Sequence, residues 1–196
     1  AEKNRLPRRL FLVIAVVIML VSVVMIRIFL PYAREGSREL LEEGIKLEEV
    51  ATGLGSPSCL HWHDSDWLLV CDRDGRILAL EMNDNGNFSD PVELLTGLDR
   101  PHGALTWVDT YNGSQRLFVS ETGKLTAWDL ENGTDPGSWS LGTGDVLVSG
   151  IPSGNHQTNS VMPGINGSLL WHSGSTCNIC DEDDVRNAAL LEVNPW

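Results

Sequence analysis

Between Leu10 and Leu30 the chain is apolar except for Ser22 and Arg27. A helix of about 20 apolar residues spans the hydrocarbon core of a bilayer. Arg27 lies near the end of the run, where its long stem lets the charge reach the interface. Pro31 stops the helix, and Tyr32 suits the headgroup level. The pattern therefore predicts a basic segment over 1–9, a transmembrane helix over 10–30 and a charged juxtamembrane stalk over 31–44. A cleaved signal peptide would begin the same way, but its apolar core is about 7–15 residues. Pro31 and Ala33 also make a poor cleavage pattern. A buried core helix fits less well still, because the run has no polar stripe.

From Ile45 the pattern changes to short alternating stretches separated by Gly, Asn and Asp, and no amphipathic helix of convincing length follows. This is the signature of an all-β domain. Three segments begin alike, at Gly53-Leu54-Gly55-Ser56-Pro57, Gly97-Leu98-Asp99-Arg100-Pro101 and Gly150-Ile151-Pro152-Ser153-Gly154. Each leads into an apolar strand, a turn and two further strands. VELLTG and DVLVSG supply a fourth strand before the second and third starts. Four short strands recurring at about 40–50 residues predict a β-propeller over 45–196. Asn-Gly pairs at 85–86, 112–113, 132–133 and 166–167 offer the positive φ of tight hairpins. Three such units do not close a ring, which usually needs four to eight, so the pattern predicts the N-terminal part of a longer molecule.

Charge separates the same two objects. The chain carries 14 basic and 27 acidic residues. Residues 1–34 hold six of the basic residues and one acid, whereas 35–196 hold eight basic and 26 acidic residues and all seven tryptophans. The positive-inside rule then predicts a single-pass cell-membrane protein with a cytoplasmic N-terminus and an extracellular or periplasmic propeller. An acidic outer domain excludes nucleic acid as a partner. Sequons begin at Asn87, Asn112, Asn132 and Asn166, although turn formation alone accounts for the last three.

Candidate chemistry centres on His156, in the polar stretch Ser153–Thr158 that leads into the first strand of the third unit. A histidine there is either a general base, with a pKa near the working pH, or a loop residue bonded to its neighbours. His102 holds the equivalent place in the second unit. His61 and His63 share one strand face, either as a surface pair or as metal ligands. Cys177-Asn178-Ile179-Cys180 lacks the second ligand pair of a zinc ribbon and the βαβ setting of a redox motif. A local disulfide remains, pinning the loop before the acidic run 181–184, which is a solvated loop or a calcium ligand set. Cys59 and Cys71 lie across a turn and are placed for cross-strand pairing.

The stretches GLDRPHGALTW…RLFVSETGKL (97–125) and SGIPSGNHQTNSVMPGINGSLLWHSGSTCNICDEDDVRNAALLEVNP (149–195) resemble the glucose/sorbosone dehydrogenase family. These are quinoproteins related to soluble pyrroloquinoline-quinone (PQQ) glucose dehydrogenase and the aldose sugar dehydrogenases. The resemblance implies a six-bladed propeller holding PQQ and calcium, oxidation of an aldose at its anomeric carbon, and an external electron acceptor. It places the catalytic base on His156, with Asn155, Gln157 and His102 at pocket-lining positions, and makes Cys177 and Cys180 a structural pair. Asn159 departs from the family, as does Gly164-Ile165-Asn166-Gly167 where a Gly-Pro-Asp-Gly turn is usual. The family's main quinone and calcium ligands belong to later blades, so none is assigned in this chain. Two other readings stand beside this one: a non-catalytic propeller that binds a glycan or protein, and a calcium-dependent lactonase-like hydrolase.

Overall fold

The computed structural model describes residues 47–109, 113–131 and 135–196, together with Met19, Gly44 and Ile45. The predicted basic segment, membrane helix and stalk lie outside the described residues, apart from Met19 and Gly44. Among the described residues no helix is long and apolar enough to cross a membrane. The chain divides into two compact units, Ala1–Glu48 and Glu49–Trp196. The described strands all belong to the second unit.

They form three successive antiparallel sheets, one for each sequence unit. The first holds β1 (Pro57–Trp62), β2 (Trp67–Asp72), β3 (Arg76–Glu81) and β4 (Val92–Leu95), paired in chain order. The second holds β5 (Gly103–Val108), β6 (Gln115–Glu121) and β7 (Lys124–Glu131). Its outer position is divided between β8 (Ser140–Leu141) at one end of β7 and β9 (Asp145–Val148) at the other. The sequence pattern does not reveal β8, nor the 3-10 turn Pro136–Ser138 before it, whose first N–H groups are capped by Asp135. The third sheet has three strands, β10 (Val161–Pro163), β11 (Leu169–Ser173) and β12 (Ala189–Val193).

Successive strand residues point to opposite faces, so each strand in a stacked sheet serves two cores. Leu117 and Val119 of β6 face the first sheet and pack with Leu69, Cys71, Ile77, Ala79, Ala104 and Trp128. Phe118, between them, faces the third sheet and packs with Leu105, Leu125, Ala127, Val161, Leu169 and Trp171. The Trp171 indole N–H donates to the buried Ser120 hydroxyl at 2.7 Å, a polar link inside that second core. The first strands lie side by side, β1 against β5 and β5 against β10. Three meanders stacked face to face with neighbouring first strands are arranged as consecutive propeller blades are.

One joint recurs. The turn after the second strand of each blade meets the lead-in loop of the next blade. Leu98 N–H donates to Gly75 O at 3.1 Å, and Ile151 N–H to Gly123 O at 3.3 Å. Both glycines have positive φ, and a Cβ at Gly123 would lie 2.3 Å from Ile151 O. The repeated Gly-Leu and Gly-Ile starts are thus one half of an inter-blade latch.

The hairpin reading of the Asn-Gly pairs needs one correction. Asn166 and Gly167 both adopt positive φ, 58° and 82°, but at 85–86 only Gly86 does. The Asn83 side chain organises that turn instead, accepting the N–H groups of Asn85 and Asn87. Asn112 and residues 132–134 lie outside the described residues.

Candidate functional site

In the first two blades a carboxylate at the end of the second strand holds the blade's own lead-in loop. Asp72 accepts Ser56 N–H at 2.9 Å and Asp74 N–H at 3.1 Å, and pairs with Arg76. Burial raises the Asp72 pKa, but those N–H donors and the Arg76 guanidinium outweigh it and hold the carboxyl below its ordinary range. Glu121 does the same work, accepting Asp99 N–H at 2.8 Å and pairing with Lys124 at 2.8 Å.

The third blade has Ser173 at this place and builds its loop differently. Two segments close on each other: the lead-in 149–160 and the long insertion 174–188. His156 and Ser175 form an isolated antiparallel bridge, with His156 N–H donating to Ser175 O at 3.2 Å and Asn155 N–H to Thr176 O at 3.1 Å. A Cβ on Gly174 would sit 1.8 Å from His156 O, so only glycine permits this approach. Asn159, fully buried, donates to Glu121 O at 3.0 Å and Gln157 Oε1 at 3.2 Å, and accepts Gly174 N–H at 2.8 Å. Asn187 bonds Pro152 O at 2.9 Å, and Arg186 reaches Gly150 O at 3.0 Å. A buried net of neutral amides, joined at the start of the loop by Arg186, therefore fixes the loop that carries His156.

The imidazole of His156 itself is exposed, and its Nε2 meets Asn178 Oδ1. With its proton on Nε2 the ring would donate to that oxygen and leave Nδ1 as the basic nitrogen. Asn178 owes its place to the Cys177–Cys180 disulfide, which is formed, as is Cys59–Cys71. Asn155 is exposed beside His156. Gln157 is buried, and its amide donates to Gly174 O at 3.1 Å, so its contacts are with the loop backbone. His102 is buried at the head of β5, where the backbone of Asn159–Val161 packs on the adjacent Gly103. Among the described residues no hydrogen bond joins the two rings. Burial, aided by the charges of Arg73 and Arg100, pushes the His102 pKa down. His61 and His63 are instead absorbed between blades, both bonded to the Thr106 hydroxyl, at 3.1 and 2.8 Å.

The acidic run does not gather into a cation cage. Glu182 binds Thr176 through its N–H and hydroxyl. Asp184 is held by Arg186, whose side chain and N–H lower its pKa to about 2. Among the described residues the single metal-like cluster is Cys177, Cys180 and Glu182, and its sulfurs are spent in the disulfide. Five of the six described cations are similarly engaged, since Arg76, Arg100, Arg116, Lys124 and Arg186 each lie in an ion pair, whereas Arg73 is near enough to His102 to lower its pKa. PQQ has three carboxylates and needs cationic partners. The described residues therefore do not form a complete quinone or calcium site.

The sequence singles out His156 as a candidate but not its neighbour Asn178 or the buried Asn159. An exposed asparagine inside a disulfide-closed four-residue loop was the available signal for the first. Nothing in the sequence marked Asn159 as buried.

No protein-family model and no curated protein matches the chain. Solved structures do. The PQQ domain of pyranose dehydrogenase from Coprinopsis cinerea, in its holo form, matches with a TM-score of 0.53 and 21% identity, over 66% of this chain and 30% of that one. The calcium structure of a Trichoderma reesei enzyme of carbohydrate-active family AA12 matches with a TM-score of 0.52 and 19% identity, over 65% of this chain and 32% of that one. The iodide structure of that family gives a TM-score of 0.51 at 19% identity. The chain spans about a third of the length of these neighbours, and what it shares with them is the propeller-like fold of a PQQ domain.

Proposed function

We propose that the chain is part of a membrane-anchored, externally facing sugar oxidoreductase of the quinoprotein type. The observation that supports this best is the exposed imidazole of His156, set against Asn178 on a braced loop in a fold shared with a pyranose dehydrogenase PQQ domain. In this reading Nδ1 of His156 takes the proton from the anomeric hydroxyl of an aldose. Asn178 holds the ring and supports the imidazolium that results. Oxidation at that carbon also requires a two-electron acceptor, for which PQQ with calcium is the proposed cofactor. Because five of the six described cations are paired, the groups that grip its three carboxylates belong mainly to other parts of the protein. Two disulfides suit the oxidising compartment that an external domain implies.

The test is dye-linked sugar oxidation by the full-length protein, with and without PQQ and calcium. His156→Ala is expected to lower kcat by roughly a thousandfold. Unchanged turnover would remove His156 as the base. Isothermal titration should show no tight PQQ binding to residues 1–196 alone, and sub-micromolar affinity there would overturn the assignment of the clamp elsewhere. The scarcity of unpaired cations also favours a second reading, a non-catalytic propeller that binds a glycan or protein. Absence of sugar oxidation by cofactor-loaded full-length protein would select it.

A further inference from the structure

At the opposite end of the sheets from His156, two adjoining hollows lie between the second and third blades. One, of about 250 Å³, is lined by Trp107, Asp109, Asn166, Asn194 and Trp196. The other, of about 360 Å³, shares Asn166 and Asn194 and extends to Glu192. β5 separates this groove from the His156 loop: His102 precedes its first residue and Trp107 is near its last. At about 3.3 Å per residue the two ends lie roughly 17 Å apart.

The groove is built rather than incidental. Arg116 is buried beneath it, ion-paired with Asp129 at 2.8 Å and with Asp145, and it donates to Pro195 O at 2.8 Å. Its guanidinium carbon lies 5.4 Å from the centroid of the Trp196 ring, and Phe118 meets the same indole edge-on at 6.5 Å. The backbone N–H of Trp196 donates to Asn194 Oδ1 at 3.2 Å. The indole is thus held in place although 45% of its surface is open to solvent. Trp107 is half-buried at the other side, anchored in the core between the blades. The turn that presents Asn166 is tight, with both Asn166 and Gly167 at positive φ.

The lining selects a ligand class. Two indoles offer flat apolar surface, which favours a ligand with an apolar face. Two amides and two carboxylates at the rim favour a ligand whose edge is rich in hydroxyl donors. The carboxylates disfavour anions, and Arg116 is already neutralised by two aspartates. A pyranose ring joins an apolar C–H face to a hydroxyl edge without net charge. We propose that this groove is a saccharide-binding site separate from the His156 loop. The assignment does not rest on the sugar-oxidation reading, and its test reads binding rather than turnover.

The full chain is produced in a host without N-glycosylation, since Asn166 heads a sequon, and is held in a detergent free of sugar headgroups. Glucose, cellobiose and N-acetylglucosamine are titrated while tryptophan emission and saturation transfer to the sugar protons are followed. Saturable binding is expected, weakened at least about tenfold by Trp196→Ala and kept by Trp196→Phe. Asn166→Asp, which tolerates the turn, should weaken it several-fold and serves if Trp196→Ala fails to fold. Binding should survive His156→Ala. Absence of a saturable response to all three sugars overturns the site. So does binding lost in His156→Ala but intact in folded Trp196→Ala.

Discussion

The first two blades and the third solve one structural problem with different chemistry. In each, the loop leading into the blade must be tied to the end of the second strand. Asp72 and Glu121 do this with buried carboxylates, each neutralised by a basic residue across the turn. The third blade uses Asn159, Gln157 and Asn187, which bond backbone groups without charge. A neutral net leaves no buried carboxylate at the strand end beside His156. At the end of the second strand the first two blades use charge, and the blade that carries the candidate base uses amides.

The largest effect is expected at the amide net. Asn159→Ala would leave Glu121 O and Gly174 N–H buried without their partner and should cost about 3–4 kcal/mol in urea unfolding. A cost near zero would show that the net is not what braces the His156 loop. Next comes the latch that all three blades share. Gly123→Ala sets a methyl group against Ile151 O and should cost about 2–3 kcal/mol. Equal stability would mean that the blades are joined by their cores alone.

Asp72→Asn tests the charged solution and should cost about 2 kcal/mol at pH 7. The folded pKa of Asp72 is depressed, so its contribution is present above the unfolded value of 3.8 and is lost as pH falls through the folded value. Parent and variant unfolding curves should therefore converge at low pH, whereas the Asn159→Ala deficit should persist there. Persistence of both deficits would erase the distinction between charged and neutral bracing. The smallest effect belongs to His102. Its folded pKa lies below 6.5, so the unfolded chain takes up a proton first as pH falls through that value, and stability declines. His102→Gln should flatten that part of the profile by less than about 1 kcal/mol. An unchanged slope would assign the decline to His61, whose pKa burial also lowers, with the nearby His63 adding to the effect.

Much of this was legible in the residues. The repeated Gly-Leu starts, the alternating strands and the placement of four cysteines identified three blades and both disulfides, because strand period, turn chemistry and cysteine position are local properties. His156 was visible as a candidate because it sits in a polar loop at a repeated position. Its partner was not, since Asn178 is 22 residues away and meets it only when the insertion folds back. His61 and His63 looked like a surface pair, yet stacking of the first two blades turns them onto Thr106. Nothing in the sequence marks Arg116 as spent, yet packing surrounds it with two aspartates and Trp196.

The sequence by itself determined the membrane-length apolar run, the blade repeat, the turns and the residue types available for chemistry. Only the tertiary structure decided which polar groups were already spent on one another. Pattern along the chain records which face a residue takes, but a hydrogen bond or ion pair depends on segments brought together across blades.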